Sequence, residues 1–283
     1  MKSNYSLCSV KVLGRRALSK TLRTLKEIKS LPYGAPYTIP IVAYHQIVSQ
    51  EEKLGRLRNY KWAITEETFD RQMRYLHEEE YYTISCDELY QWYHGQIKLP
   101  KKSVMITVDD GYENVSTHMA PILQKYDFKA TAFIIGSHIE KGRKDPFYMT
   151  LEQVTAVKKD FPCLDFQSHS YDLHYKKADV PVADTLLYDA LFADCFKARE
   201  LGYTSLAYPY GESNKAYVAA AKDNGFIMGF LYLGWQAHRY ARRSLPLFRM
   251  PRMGIDDETS FEEFVAKVTG TRNRCGTDPG KEK

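Results

Sequence analysis

The chain has 283 residues, 44% apolar and 27% charged, which is enough to bury one large core and too apolar for a disordered polymer. Its net charge of +5 is uneven: residues 1–31 hold eight Lys/Arg against the single acid Glu27, so the other 252 residues sum to −2. That balance argues against a nucleic-acid-binding body, which needs a basic face on the folded domain.

In chain order, Val12, Leu18, Leu22, Leu25 and Ile28 recur near helical spacing among Lys11, Arg15, Arg16, Lys20, Arg23, Lys26 and Lys29. The pattern predicts a basic amphipathic segment over residues 1–37, whose stretch 11–29 either contacts an anionic membrane surface or rests, solvated, on the body. No apolar run of signal-peptide or transmembrane length follows it, so export by an ordinary signal is not visible. Next comes the apolar run 39–44, a strand ending at His45, and then a polar loop over 49–61. Phe69, Met73 and Leu76 mark one amphipathic helix, and Ser85 with Glu88 opens another by a capping box.

From residue 104 onward strands are predicted at 104–108, 131–135, 164–167, 205–208 and 226–230, with helical stretches between most of them. Thr150 with Gln153 and Ser260 with Glu263 supply helix starts, and Gly225 a stop. This alternation predicts βα units around a largely parallel sheet, one domain over 38–269, and a polar tail over 270–283. Five scattered cysteines (Cys8, Cys86, Cys163, Cys195, Cys275), odd in number and without a CxxC pair, read as incidental thiols.

In such folds ligands bind beyond the carboxyl ends of the strands. Strand 104–108 runs into Asp109-Asp110-Gly111, which alone reads first as a turn signal; Gly111 would let the backbone swing both carboxylates into one cleft. Strand 164–167 ends in a stretch holding His169 and His174. Five residues apart on a helix they would diverge by roughly 140°, so a loop is needed for both to reach one ion. Two imidazoles and one carboxylate make a three-ligand site with open positions, suited to a divalent ion that activates water, and leave the second carboxylate free to take a proton. A third strand end, Ala207-Tyr208-Pro209-Tyr210-Gly211, is either a plain turn or a device that aims a backbone N–H at an oxyanion beside sugar-stacking rings. His45, at the end of the first strand, is either structural or a donor to a leaving amine.

The ordered motifs IVAYHQI, LPKKSVMITVDDGYENV, PILQKYDFKATAFIIG, FQSHSYDLH, AYPYGESN and FRMPRMGI, across residues 38–268, resemble the NodB-homology polysaccharide deacetylases. The likeness is strongest to the branch that de-N-acetylates poly-N-acetylglucosamine. It implies a distorted, incomplete (β/α) barrel and a divalent metal, usually zinc, with nickel, cobalt or iron as alternatives. By matching positions Asp110, His169 and His174 would be the ligands, Asp109 the base, His45 the acid and Tyr210 the source of the oxyanion-binding N–H. Tyr208 and Trp235 would contact substrate, although the family's Asp-to-Trp motif is not clear around Trp235. Many family members carry an Arg, which positions the base, where this chain has Ala207; Arg249 and Arg252 are the candidates to replace it. The implied substrate is poly-β-1,6-N-acetylglucosamine, the alternatives being peptidoglycan, chitin-like oligomers or another N-acylated sugar, or a silent carbohydrate-binding or membrane-surface scaffold. The family commonly acts at the cell surface.

Overall fold

The computed structural model describes residues 36–141, 147–234 and 236–271. The basic segment, apart from its last two residues, and the tail beyond Thr271 lie outside them. The apolar runs become seven barrel strands: β1 (Ile41–Tyr44), β2 (Ser103–Val108), β3 (Ala130–Ile134), β4 (Leu164–Ser168), β5 (Ser205–Ala207), β6 (Met228–Tyr232) and β7 (Met250–Gly254). Each pairs in parallel with the next, and β7 pairs with β1, so the sheet closes on itself. Val42 lies opposite Ile106 on one side and Met253 on the other. A two-residue strand, Tyr82–Thr83, adds to the start of β2.

All six residues of β2 are buried, as expected of a parallel strand covered on both faces. Its side chains alternate: Val104, Ile106 and Val108 join the layer under the helices, while Met105 joins Phe133, Ala207, Met228, Phe230 and Met250 in a second apolar cluster inside the ring. The helical layer comprises α1 (Glu66–Glu78), α2 (Cys86–Tyr93), α3 (Ala120–Lys125), α4 (Gly136–Lys141), α5 (Leu151–Asp160), α6 (Tyr188–Glu200), α7 (Lys215–Asp223) and α8 (Phe261–Thr269).

Several of these ends follow from single residues. The Ser85/Glu88 and Thr150/Gln153 boxes are both reciprocal, and Gly225 takes φ 78 just beyond α7. Three local features differ from the sequence reading. The stretch 49–61 contains a helical turn, Gln50–Leu54, started by a Ser49/Glu52 box hidden among polar residues. Strand β6 lies two residues later than expected, because the chain needs Phe226 and Ile227 to leave the Gly225 turn. Strand β7 carries Pro251 and Arg252, a composition that does not announce a strand.

Candidate metal and proton-transfer site

A closed parallel ring sends every carboxyl end to one mouth, and four of those ends carry the expected chemistry. Asp109 continues the inward series of Met105 and Thr107. Asp110 would turn outward on a regular strand, but its φ of 76, followed by Gly111 at 84, bends the chain so that it faces the same cleft. A Cβ at Gly111 would lie 2.8 Å from Ile134 Cγ2, so this bend requires glycine. Ser170 (φ 69) and Tyr210 (φ 59) are likewise left-handed, which concentrates backbone strain at the three strand ends that carry the site.

Asp110, His169 and His174 converge: their ligand atoms all lie within 4.8 Å of one another. Asp110 Oδ1 sits 3.5 Å from His169 Nε2 and 3.4 Å from His174 Nε2. The imidazole of His169 donates from Nδ1 to the Ala207 carbonyl at 2.8 Å, which leaves its Nε2 lone pair pointing at the cleft. Burial lowers the His169 pKa to about 4, so the ring is neutral at pH 7. Asp110 Oδ1 is buried and has no hydrogen-bond partner. An orphaned carboxylate oxygen facing two imidazole lone pairs is unfavourable alone and suits a divalent cation.

Asp109 has a different partner. Its two oxygens accept bidentate bonds from Arg252 at 2.6 and 2.8 Å, with the two side chains 2% and 0% exposed. Burial by itself would raise the Asp109 pKa; the Arg252 guanidinium and the neighbouring His169 outweigh it and hold the carboxyl well below the usual range. Arg252 is oriented by the Leu231 carbonyl (3.1 Å) and lies over the Phe133 ring at 5.1 Å. It therefore reaches, from β7, the carboxylate end of β2. Arg249 does not: it is exposed and precedes β7, at the opposite end of the barrel.

The loop joining the two histidines is clamped by a residue that sequence reasoning missed. Asp194, on α6, accepts from the backbone N–H groups of Tyr171 (2.9 Å) and Asp172 (2.7 Å), and burial pushes its pKa up to about 6. Nothing in the pattern of α6 distinguishes this acid from its exposed neighbours. His174 is further held by stacking on the Tyr210 ring, with centroids 4.6 Å apart and planes at 23°. His45 packs on Trp62 (4.9 Å) and against Tyr232 (5.5 Å), and its Nδ1 is buried without a partner. Trp62 reaches it because Gln46 N–H donates to the Trp62 carbonyl at 3.2 Å, a register that the polar surroundings of Trp62 conceal.

Tyr208 is not at the cleft. It is fully buried, and its hydroxyl donates to the Phe248 carbonyl at 3.1 Å, because its side chain continues the outward series of β5 into the helical layer. Trp235 lies outside the described residues. Cys86, Cys163 and Cys195 are free thiols.

Comparison with known proteins bears on this arrangement. A family model described as "Polysaccharide deacetylase" matches residues 96–229. A Bacillus subtilis protein that carries a polysaccharide-deacetylase name, YxkH, is 30% identical over 200 residues, which is 69% of this chain and 64% of that protein. The poly-beta-1,6-N-acetyl-D-glucosamine N-deacetylase of Staphylococcus epidermidis is 25% identical over 222 residues, 76% of this chain and 74% of its own. Among solved structures, Streptococcus pyogenes deacetylase PplD in complex with acetate superposes with a TM-score of 0.67 at 25% identity, over 82% of this chain and 99% of that one.

Proposed function

The chain belongs to the polysaccharide deacetylase family, and from that premise we propose that it hydrolyses the N-acetyl groups of an N-acetylglucosamine polymer. The observation that carries this reading is the Asp110, His169 and His174 cluster set beside an Arg252-held Asp109. Those three residues would hold a divalent cation, zinc being the first candidate, with nickel, cobalt or iron also suited to a set of two nitrogens and one oxygen. The cation would supply Lewis acidity, acidifying a water and polarising an amide carbonyl.

The remaining steps belong to side chains of this protein. Asp109, kept ionised and fixed by the Arg252 fork, accepts the proton of the attacking water. Arg252 thus does from β7 what the family's Arg does from the position of Ala207. The oxyanion that forms at the former carbonyl accepts from the Tyr210 N–H. His45 gives a proton to the amide nitrogen as the C–N bond breaks, which yields acetate and a free amine. The β-1,6-linked polymer is the first substrate to try, because the staphylococcal relative is named for it.

Acetate release from β-1,6- and β-1,4-linked N-acetylglucosamine oligomers, with and without a chelator, tests this reading. We expect release from the β-1,6 oligomer, its loss with chelator and its return on adding zinc. Chelator-insensitive release would overturn the metal assignment, and faster release from the β-1,4 series would overturn the linkage.

A further inference from the structure

His169 and His174 are held in different ways. His169 follows directly on β4, and its own Nδ1 bond to the Ala207 carbonyl fixes its ring. His174 stands further along the loop, half-buried, and among the described residues no hydrogen bond reaches its Nδ1. Its ring rests on two others, His169 with centroids 4.7 Å apart and Tyr210 at 4.6 Å. A ligating imidazole normally takes its orientation from a bond at its other nitrogen. For His174 that orientation has to come from the backbone of the loop.

The loop backbone is anchored on two sides. On one, Gly136 and Ser137 at the start of α4 donate their N–H groups to the carbonyls of Ser170 (3.2 Å) and Tyr171 (2.7 Å). The packing there is close enough that a Cβ at Gly136 would lie 2.8 Å from the Tyr171 ring. On the other side, the left-handed turn at Ser170 leads Tyr171 and Asp172 to aim consecutive N–H groups at one point. Successive N–H groups arranged in this way make an anion-binding concavity. The carboxylate of Asp194 fills it, Oδ2 accepting from Tyr171 at 2.9 Å and Oδ1 from Asp172 at 2.7 Å. Leu173 N–H then donates to Ser170 Oγ at 3.1 Å, which closes the turn just before His174.

Asp194 is 7% exposed and, among the described residues, has no ion-pair partner. Burial pushes its pKa up to about 6, so its ionised form costs folding stability. Its two bonds are better accounted for by the geometry they impose. We infer that Asp194 is a positioning residue of the metal centre: through the N–H groups of Tyr171 and Asp172 it fixes the loop that presents His174 Nε2 beside Asp110 and His169. Asp194 acts through the loop and is not itself a ligand. The inference rests on the ligand set proposed above.

The test is the zinc affinity of the full chain, measured by competition with a chromophoric chelator, together with the rate of zinc release to excess chelator. Asp194→Ala removes both acceptors. It should weaken zinc binding by about 10- to 100-fold, the range for a residue that orients a metal-ligating histidine, and speed release. Asp194→Asn keeps the shape and one acceptor oxygen but turns an NH2 toward the second N–H, so its affinity should fall between those of Asp194→Ala and the wild type. Phe230→Ala, a packing loss among the apolar side chains inside the ring, should leave the zinc affinity of the folded fraction within about twofold, so that a loss merely tracking stability is recognised. If Asp194→Ala does not fold, Asp194→Asn carries the comparison. Wild-type affinity in Asp194→Asn, or an equal loss in Phe230→Ala, would overturn the inference and leave the ligand set standing. A wild-type chain that binds neither zinc nor nickel, cobalt or iron would overturn the ligand set and the inference together.

Discussion

The two ends of the barrel interior obey different rules. Toward the amino ends of the strands, Ile41, Met105, Phe133, Met228, Phe230 and Met250 fill the ring with apolar volume and no charge. At the carboxyl mouth, a few ångströms further along the same strands, Asp109, Asp110, His169 and Arg252 are equally buried but ionisable, on backbone that is left-handed at Asp110 and Ser170. The floor gains free energy by burying surface, whereas the mouth holds charges that only partners or a cation make tolerable. The contrast teaches that one end supplies stability and the other uses part of it to preorganise chemistry.

The sharpest way to break that division is His169→Ala. It should abolish metal retention and acetate release together, since two groups cannot replace three; full occupancy by elemental analysis would remove His169 from the ligand set. Asp109→Asn should keep the metal and lower the turnover by roughly 10²- to 10⁴-fold, the range for a positioned base. Ordinary turnover in that variant would remove Asp109 as the base.

Phe230→Ala probes the other end. It should cost about 3–5 kcal/mol of unfolding free energy through the cavity left against Phe133, with metal affinity in the folded fraction unchanged. If chemical denaturation showed a loss below 1 kcal/mol, the floor would not be the main source of stability.

Asp194 offers a titration between the two regimes. Its carboxyl, raised to about 6 in the folded chain from an ordinary value near 4, holds its proton more tightly folded than unfolded. Its contribution is therefore fully present below about pH 4 and is lost as pH rises through about 6, by up to about 3 kcal/mol. Relative to Asp194→Asn, wild-type stability should fall across that window, and parallel pH profiles would sink the assignment. The smallest effect belongs to Arg249→Ala, which should leave acetate release within a factor of two, because this side chain lies at the end of the barrel away from Asp109.

The alternation of apolar runs with helix caps was enough to read βα units around a largely parallel sheet, the barrel being what the family resemblance implied, and the strand-end placement of Asp109, Asp110, His169 and His174 was legible from local pattern. These are short-range features: periodicity, a glycine-permitted bend and capping boxes act within a few residues. Sequence alone could not choose between Arg249 and Arg252, three residues apart. The choice depended on which one points into the ring from a strand disguised by Pro251. Nor could it see that Tyr208 turns into the helical layer, that Asp194 reaches across to the ligand loop, or that Trp62 lies on His45. Those pairings join residues from 17 to 143 positions apart, and only the folded ring brings them into contact. Local sequence thus determined which chemistry is present, while tertiary packing decided which groups hold, charge and orient it, because burial and long-range partners exist only once the chain has folded.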